Sequence, residues 1–158
     1  SSPEHRNTGT SAGGMMASDA KAERLQNLPL FNGADKDAIE HLAAAADEVT
    51  VEAGHTLISQ GRHHQEMYVL ESGAAVVEID GRQVAEVVAG EFVGELGYFT
   101  KAPASATVRT AAESKLLVIP YNRFEQILDD NPRMVRAIVA ELAERLQAAD
   151  HQLKTMKA

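Results

Sequence analysis

The 158-residue sequence contains no cysteine and no tryptophan, and only 4% of its residues are aromatic. The absence of cysteine excludes disulfides, thiolate metal sites and a cysteine nucleophile. No uninterrupted apolar run approaches the roughly 18 residues that a membrane-spanning helix needs. No leader with a charged and then an apolar segment opens the sequence. We therefore predict an intracellular, cytoplasmic protein without membrane insertion, of a length suited to one folded domain.

An excess of positive charge is also lacking, because 15 Lys and Arg stand against 23 Asp and Glu, for a net charge of −8. Such a surface repels phosphate backbones, so we expect no direct nucleic-acid partner. The sequence has neither a Gly-x-Ser-x-Gly nucleophile motif nor a Walker-type loop. These patterns predict a protein that is not an enzyme.

Two segments with different composition divide the chain. Residues 1–18 hold Ser, Gly, Thr and Asn with almost no branched apolar side chains. Such a segment cannot bury enough surface to offset its ordering entropy, so we predict a disordered tail or an expression scar. Residues 19–158 are predicted to form the folded domain.

Helical patterns lie at both ends of this domain. The first predicted helix carries Leu25 and Leu28 and ends at Pro29, and Asp35 is expected to cap the second. The second helix places Ile39, Leu42, Ala43 and Ala46 at helical spacing. After Pro120, Asn122 is expected to cap a third helix, and Asn131-Pro132 to begin the last. That helix carries one apolar stripe made of Met134, Val135, Ile138, Val139, Leu142, Leu146 and Ala149.

The middle of the chain reads as short strands. Apolar runs recur at Val49–Val51, Thr56–Ser59, Met67–Leu70, Ala75–Ile79, Gln83–Val88, Ala106–Thr110 and Leu116–Ile119. Asp80-Gly81 predicts a two-residue hairpin, because a type I′ turn needs positive φ at both central positions. The predicted fold is mainly β: an antiparallel, jelly-roll-like β-roll with N-terminal and C-terminal helices.

Three stretches of this sequence match a known pattern: LPLFNGADKDAIEHLA, VEAGHTLISQGRHHQEMYVLESGAA and EFVGELGYFTKAPASATVRT. Together they resemble the cyclic-nucleotide-binding domain family, of the type found in catabolite activator protein and protein kinase A regulatory subunits. The third stretch is similar to the family's phosphate-binding cassette. The resemblance implies a β-roll that binds a cyclic nucleotide and regulates an effector.

The resemblance also implies a set of ligand-binding residues. Gly94, Glu95 and Leu96 match a turn whose glycine lets N–H groups approach an anion, and whose glutamate accepts the ribose 2′-hydroxyl. The family's Arg-Ala/Ser/Thr-Ala pattern falls on Ala104, Ser105 and Ala106. Backbone N–H groups near Ala104 and Ser105 are expected to face the phosphate. The implied ligand is cAMP, with cGMP as the alternative, and no cofactor or metal is expected.

Ala104 departs from the family pattern, because the family has arginine there. A guanidinium binds phosphate through two charge-assisted hydrogen bonds that no neutral side chain replaces. Losing one partner of such a pair costs about 2–5 kcal/mol, so weak binding is predicted. Lys101 is the first candidate to replace this charge and Arg62 the second; for each, a solvated surface charge is the alternative. Arg109 is expected to point to the opposite face of its strand.

Two other clusters leave alternatives open. Tyr98 and Phe99 are interpreted as core packing rather than as a platform for a purine. His63-His64 with Glu66 would suit a metal, but adjacent strand residues face opposite sides, which favours a surface loop.

Two functions therefore remain open. The first is a ligand-sensing regulatory domain with a weakened phosphate site. The second is a ligand-independent scaffold or interaction module, in which the last helix pairs with a second copy or docks on an effector protein. The final residues, HQLKTMKA, are too few for a helix-turn-helix, so we expect a stand-alone sensor or the regulatory part of a larger system.

Overall fold

The computed structural model describes residues 20–28, 31 and 34–157, with side chains described as far as residue 151. The predicted tail at residues 1–18 and the predicted helix stop at Pro29 lie outside the described residues.

Two four-stranded antiparallel sheets form the centre of the fold, as predicted. The strands are β1 (Asp47–Val51), β2 (Thr56–Ile58), β3 (Glu66–Ser72), β4 (Ala75–Ile79), β5 (Arg82–Val87), β6 (Phe92–Val93), β7 (Thr107–Thr110) and β8 (Ser114–Pro120). The first sheet has the order β1-β8-β3-β6, and the second has the order β2-β7-β4-β5. Except for β4 and β5, which form a hairpin within the second sheet, successive strands alternate between the two sheets, which makes a roll rather than two separate hairpin stacks.

Helices lie at both ends of the chain, and one short helix interrupts the roll. The described residues contain helix α1 (residues 20–26), α2 (Lys36–Ala45), α3 (Glu95–Thr100), α4 (Tyr121–Asp130) and α5 (Pro132–Lys157). The last helix begins directly after Asn131, as predicted, with proline at its first position. Within the part of the chain that is described, none of the helices has the length and apolar character needed to cross a bilayer.

The first sheet is buried on both faces, because helices cover one face and the second sheet covers the other. Successive side chains of its strands point alternately to these two faces. In β3, Met67 and Val69 pack with the helices, whereas Leu70 packs against the second sheet. In β8, Leu117 faces the helices and Leu116 faces the second sheet. This period of two explains why these strands read as continuous apolar runs in the sequence.

The hairpin between β4 and β5 is confirmed in detail. Ile79 pairs with Arg82, and Asp80 and Gly81 between them have φ values of 55° and 80°. Both central residues therefore adopt the left-handed region that a type I′ turn requires.

The two predicted helix caps differ from the structure. Asp35 does occupy the N-cap position of α2, but its side chain makes no capping hydrogen bond. The prediction for Asn122 is wrong, because α4 begins at Tyr121 and leaves Asn122 inside the helix. The physical reason is that β8 runs to Pro120, and the N–H of Tyr121 donates to the carbonyl of Gln65, 2.9 Å away.

The predicted apolar stripe of α5 divides into two parts. Met134 and Ile138 are buried against the helical core, and Leu142 packs on its margin. Val139 and Leu146 instead keep 58% and 71% of their surface exposed. The single stripe predicted from the sequence therefore covers the core only over its inner residues.

Candidate ligand-binding site

One cavity of about 230 Å³ lies between the β6–α3 turn, the loop before β7 and the inner face of the second sheet. Its apolar wall includes Ile58, Val77 and Val108. The residues predicted to bind ligand all line this cavity: Gly94, Glu95, Leu96, Ala104, Ser105 and Ala106. The structure thus brings the two predicted segments of the third stretch to one site, while their role as ligand contacts stays a prediction.

The turn before α3 requires glycine. Gly94 has a φ of 92°, and a Cβ there would lie 3.1 Å from both the carbonyl oxygen of Glu66 and the Cα of Met67. The hydroxyl of Tyr121 donates to the carbonyl of Gly94, and a Cβ on Gly97 would lie 2.7 Å from that hydroxyl. Tyr121, which the sequence motifs did not indicate, therefore fixes the turn from α4.

Glu95 supplies a buried carboxylate at this end of the cavity. Only 2% of its surface is exposed. Burial raises the pKa of the Glu95 carboxyl above its ordinary value of 4.5, because lost hydration outweighs the opposing effects of a backbone hydrogen bond and of Arg145. Such a carboxylate can accept hydrogen bonds from the hydroxyl groups of a ligand.

Arg145 of α5 reaches the same end of the cavity. Its Nη1 lies 3.5 Å from Oε2 of Glu95, and its Nη2 donates to the carbonyl of Phe92 at 2.8 Å. Its guanidinium carbon also lies 4.8 Å from the centroid of the Phe92 ring. No sequence motif indicates this residue, because its spacing to Glu141 is that of an ordinary surface ion pair on a helix.

The other end of the cavity carries no charged side chain from the cassette loop. The N–H of Ala104, which was expected to face the phosphate, donates to the carbonyl of Arg62 at 2.8 Å in this structure. The N–H of Gly61 returns a hydrogen bond of 2.7 Å to the carbonyl of Ala104. By contrast, the N–H groups of Ser105 and Ala106 have no partner among the described residues. Those two N–H groups remain as donors for an anion.

The basic residues considered as replacements for the family arginine lie in different places. Nζ of Lys101 lies 4.6 Å from the centroid of the Tyr98 ring, and Lys101 does not line the cavity. Arg109 donates to Glu78 at 2.9 Å and likewise lies outside the lining. Arg62 does line the cavity.

Tyr98 packs against the helical core, as interpreted from the sequence, whereas Phe99 keeps 44% of its surface exposed, so the interpretation of Phe99 as core packing is wrong. The rings of Tyr98 and Phe99 meet edge to face at 4.9 Å, and neither residue lines the cavity. Nε2 of His64 accepts the N–H of Ser59 at 3.1 Å, which fixes the loop that borders the cavity. Over the described residues, no group of His, Cys, Asp and Glu side chains is placed to hold a metal ion.

Comparison with known sequences defines the family. Residues 48–131 match the model of the cyclic nucleotide-binding domain, and the chain belongs to this family. It is 28% identical to an uncharacterized NTE family protein of Mycobacterium tuberculosis over 78% of this chain and 21% of that protein. It is 31% identical to the cAMP-activated global transcriptional regulator CRP of Escherichia coli over 62% of this chain and 50% of CRP. The chain thus spans half or less of these relatives.

Solved structures show the same fold. The cAMP complex of the regulatory domain of Toxoplasma gondii PKA has a TM-score of 0.74 and 19% identity, over 85% of this chain and 52% of that one. The regulatory subunit of a cAMP-independent protein kinase A from Trypanosoma cruzi, bound to guanosine, has a TM-score of 0.64 and 20% identity. That match covers 77% of this chain and 42% of the other. The fold therefore occurs with different ligands.

Proposed function

We propose that this chain is a regulatory domain that binds a cyclic nucleotide, with cAMP as the first candidate, and that it binds more weakly than arginine-containing members of the family. It would act by binding, as a sensor and not as an enzyme. The cytoplasmic location stays a prediction from the sequence.

The observation that carries this proposal is the buried carboxylate of Glu95 inside a cavity that the cassette loop completes. A buried carboxylate is costly unless a partner compensates it, so such a group in a cavity points to a functional role. In the proposed complex, the ribose hydroxyl donates to Glu95, and the N–H groups of Ser105 and Ala106 face the phosphate. The apolar wall of the cavity would contact the base.

The contact between Glu95 and Arg145 offers a route from the cavity to α5. A ribose hydroxyl that donates to Glu95 competes with Arg145, which lies 3.5 Å from the same carboxylate. Since Arg145 belongs to α5, ligand binding would change the position of this helix relative to the roll. A ligand that favours one of two helix positions shifts their populations, and an effector can sense that shift.

The proposal is tested by calorimetric titration of the chain with cAMP and with cGMP. We expect saturable binding of at least one nucleotide. Glu95→Ala should weaken that binding by about tenfold or more, because a charged hydrogen-bond acceptor is lost. Arg109→Ala is the control, since Arg109 pairs with Glu78 outside the cavity. Equal effects of the two substitutions, or no binding of either nucleotide, would contradict the proposal.

The exposed part of α5 favours one second candidate, a module that pairs with another copy of this chain. Val139 and Leu146 are large apolar residues on the outer surface of a 26-residue helix. Sedimentation over a range of concentrations tests this function. A dimer of the unmodified chain would support this function if Leu146→Asp dissociates it and the neighbouring Gln147→Asp, the control, does not. A monomer of 17.0 kDa at every concentration would exclude it.

A further inference from the structure

An arginine from another loop lies at the end of the cavity where the family arginine is missing. Arg62 follows Gly61 in the connection between β2 and β3, and it lines the same cavity as Ala104, Ser105 and Ala106. The side chain of Arg62 is exposed at the mouth of the cavity rather than packed in the core. A ligand in the cavity can therefore reach this guanidinium without rearrangement of the fold.

The backbone beside Arg62 is held in place from both sides. The reciprocal hydrogen bonds between residues 61–62 and Ala104, at 2.7 and 2.8 Å, join this loop directly to the cassette loop. The preceding residue, Gln60, donates its N–H to Oγ1 of Thr107 at 3.0 Å and its side-chain amide to Asp80 at 3.1 Å. Only the side chain of Arg62 would have to become ordered on binding, which limits the entropic cost.

The other basic side chains near the cavity already have partners. Arg145 pairs with Glu95 and Glu141, and Arg109 pairs with Glu78. Lys101 lies over the ring of Tyr98. The guanidinium of Arg62 has no ion-pair or hydrogen-bond partner within the residues described. Among the described residues that line the cavity, Arg62 is thus the arginine that is free to bind an anion.

We propose that Arg62 binds the anionic group of the ligand and replaces, from the opposite loop, the arginine that Ala104 lacks. The inference rests on the proposed function and specifies the ligand chemistry as a nucleoside phosphate rather than a neutral nucleoside. The planar guanidinium would bind two phosphate oxygens, while the N–H groups of Ser105 and Ala106 bind the phosphate from the other side.

The test is a calorimetric titration of four proteins with cAMP and, separately, with adenosine, which lacks the phosphate. The proteins are the unmodified chain, Arg62→Ala, the control Arg136→Ala on the exposed face of α5, and the double variant Arg62→Ala with Ala104→Arg. Arg62→Ala should weaken cAMP binding about 10- to 100-fold, because a charge-assisted contact is lost. It should leave adenosine binding unchanged, and Arg136→Ala should change neither.

The double variant should recover cAMP binding, because the charge returns at the position where the family has it. Equal cAMP affinities of the unmodified chain and Arg62→Ala would overturn the role of Arg62 and leave the proposed function intact. An equal loss of adenosine binding would also overturn it, since the effect would not depend on phosphate. No cAMP binding by the unmodified chain, with binding by the double variant, would overturn the role of Arg62 but retain the pocket. No binding by any of the four proteins would overturn both proposals.

Discussion

The two ends of the cavity are built in different ways. At one end, Glu95 is buried, paired with Arg145 and positioned by the fixed turn at Gly94. At the other end, Ala104 offers a methyl group, and the exposed Arg62 is the cavity-lining arginine whose guanidinium has no partner among the described residues. The Glu95 end, which is proposed to bind the sugar, is therefore preorganised, whereas the Arg62 end, which is proposed to bind the phosphate, needs a side chain to become ordered. Preorganised contacts lose less entropy on binding, so the two ends should respond differently to substitution.

The largest effect should come from supplying the missing charge. Ala104→Arg should strengthen cAMP binding by about 10- to 1000-fold, because a bidentate guanidinium then faces the phosphate from the cassette itself. Calorimetry measures the change. Ala104→Gln is the matched control, since it adds length and polarity without charge and should gain little. The same gain for both variants, or none for either, would contradict the prediction that alanine at position 104 weakens binding of the anion.

The next effect tests how rigid the sugar end is. Gly94→Ala should lower the free energy of unfolding by about 2–3 kcal/mol, since alanine is strained at positive φ and its Cβ would press on the backbone of β3. Gly54→Ala is the control, because Gly54 has a similar φ of 85° with open space around it. Its cost should be about 1 kcal/mol. Urea unfolding of both variants would reveal the difference, and equal costs would mean that the contact with β3 is unimportant.

A smaller effect on affinity, with a distinct structural readout, is expected at Arg145. Arg145→Gln should change cAMP affinity by less than about tenfold, because Arg145 competes with the ligand as well as ordering Glu95. It should, however, abolish the ligand-induced change in hydrogen exchange along α5. Glu141→Gln removes only the neighbouring helical ion pair and should preserve that change. If α5 responds to ligand equally in all three proteins, the signal does not pass through Arg145.

The smallest effect concerns pH. Burial raises the pKa of Glu95 above 4.5, so the folded state holds this proton more tightly than the unfolded state. The contribution of Glu95 to stability is therefore fully present below pH 4.5 and is lost as the pH rises through the raised pKa. Urea unfolding between about pH 4 and pH 8 should show the stability of the unmodified chain falling relative to Glu95→Gln. If the stability of the unmodified chain relative to Glu95→Gln stays constant or rises as the pH rises, the burial of an ionisable Glu95 is contradicted.

The features of the fold that depend on local sequence were predictable. The Asp80-Gly81 hairpin follows from the backbone angles that its turn requires, and the strands of the roll follow from their apolar pattern. The prediction for Asn122 failed because a cap depends on where the preceding strand ends, and β8 continues to Pro120. The sequence also did not predict that only the inner residues of the α5 stripe are buried. Periodicity indicates which face of a helix is apolar, but not how far the core extends beneath that face.

The candidate site was predictable only where a motif marked it. Gly94, Glu95 and the Ala104-Ser105-Ala106 segment could be placed from the family pattern, and they meet around one cavity. Arg145 and Tyr121 reach the site from α5 and α4, and no short-range pattern marks a contact between residues so far apart in the chain. The charge of Arg62 and its place after Gly61 make it a candidate from the sequence, but its preference over Lys101 depends on which of the two residues lines the cavity.

The most direct test of the central claim is an amide NMR titration of the unmodified chain with cAMP. We predict saturable shifts at Gly94–Gly97, at Ser105 and Ala106, and at Arg62, with further shifts along α5 near Arg145. Spectra that stay unchanged at millimolar cAMP, or shifts confined to surfaces outside the cavity, would contradict the proposal that this cavity binds a cyclic nucleotide.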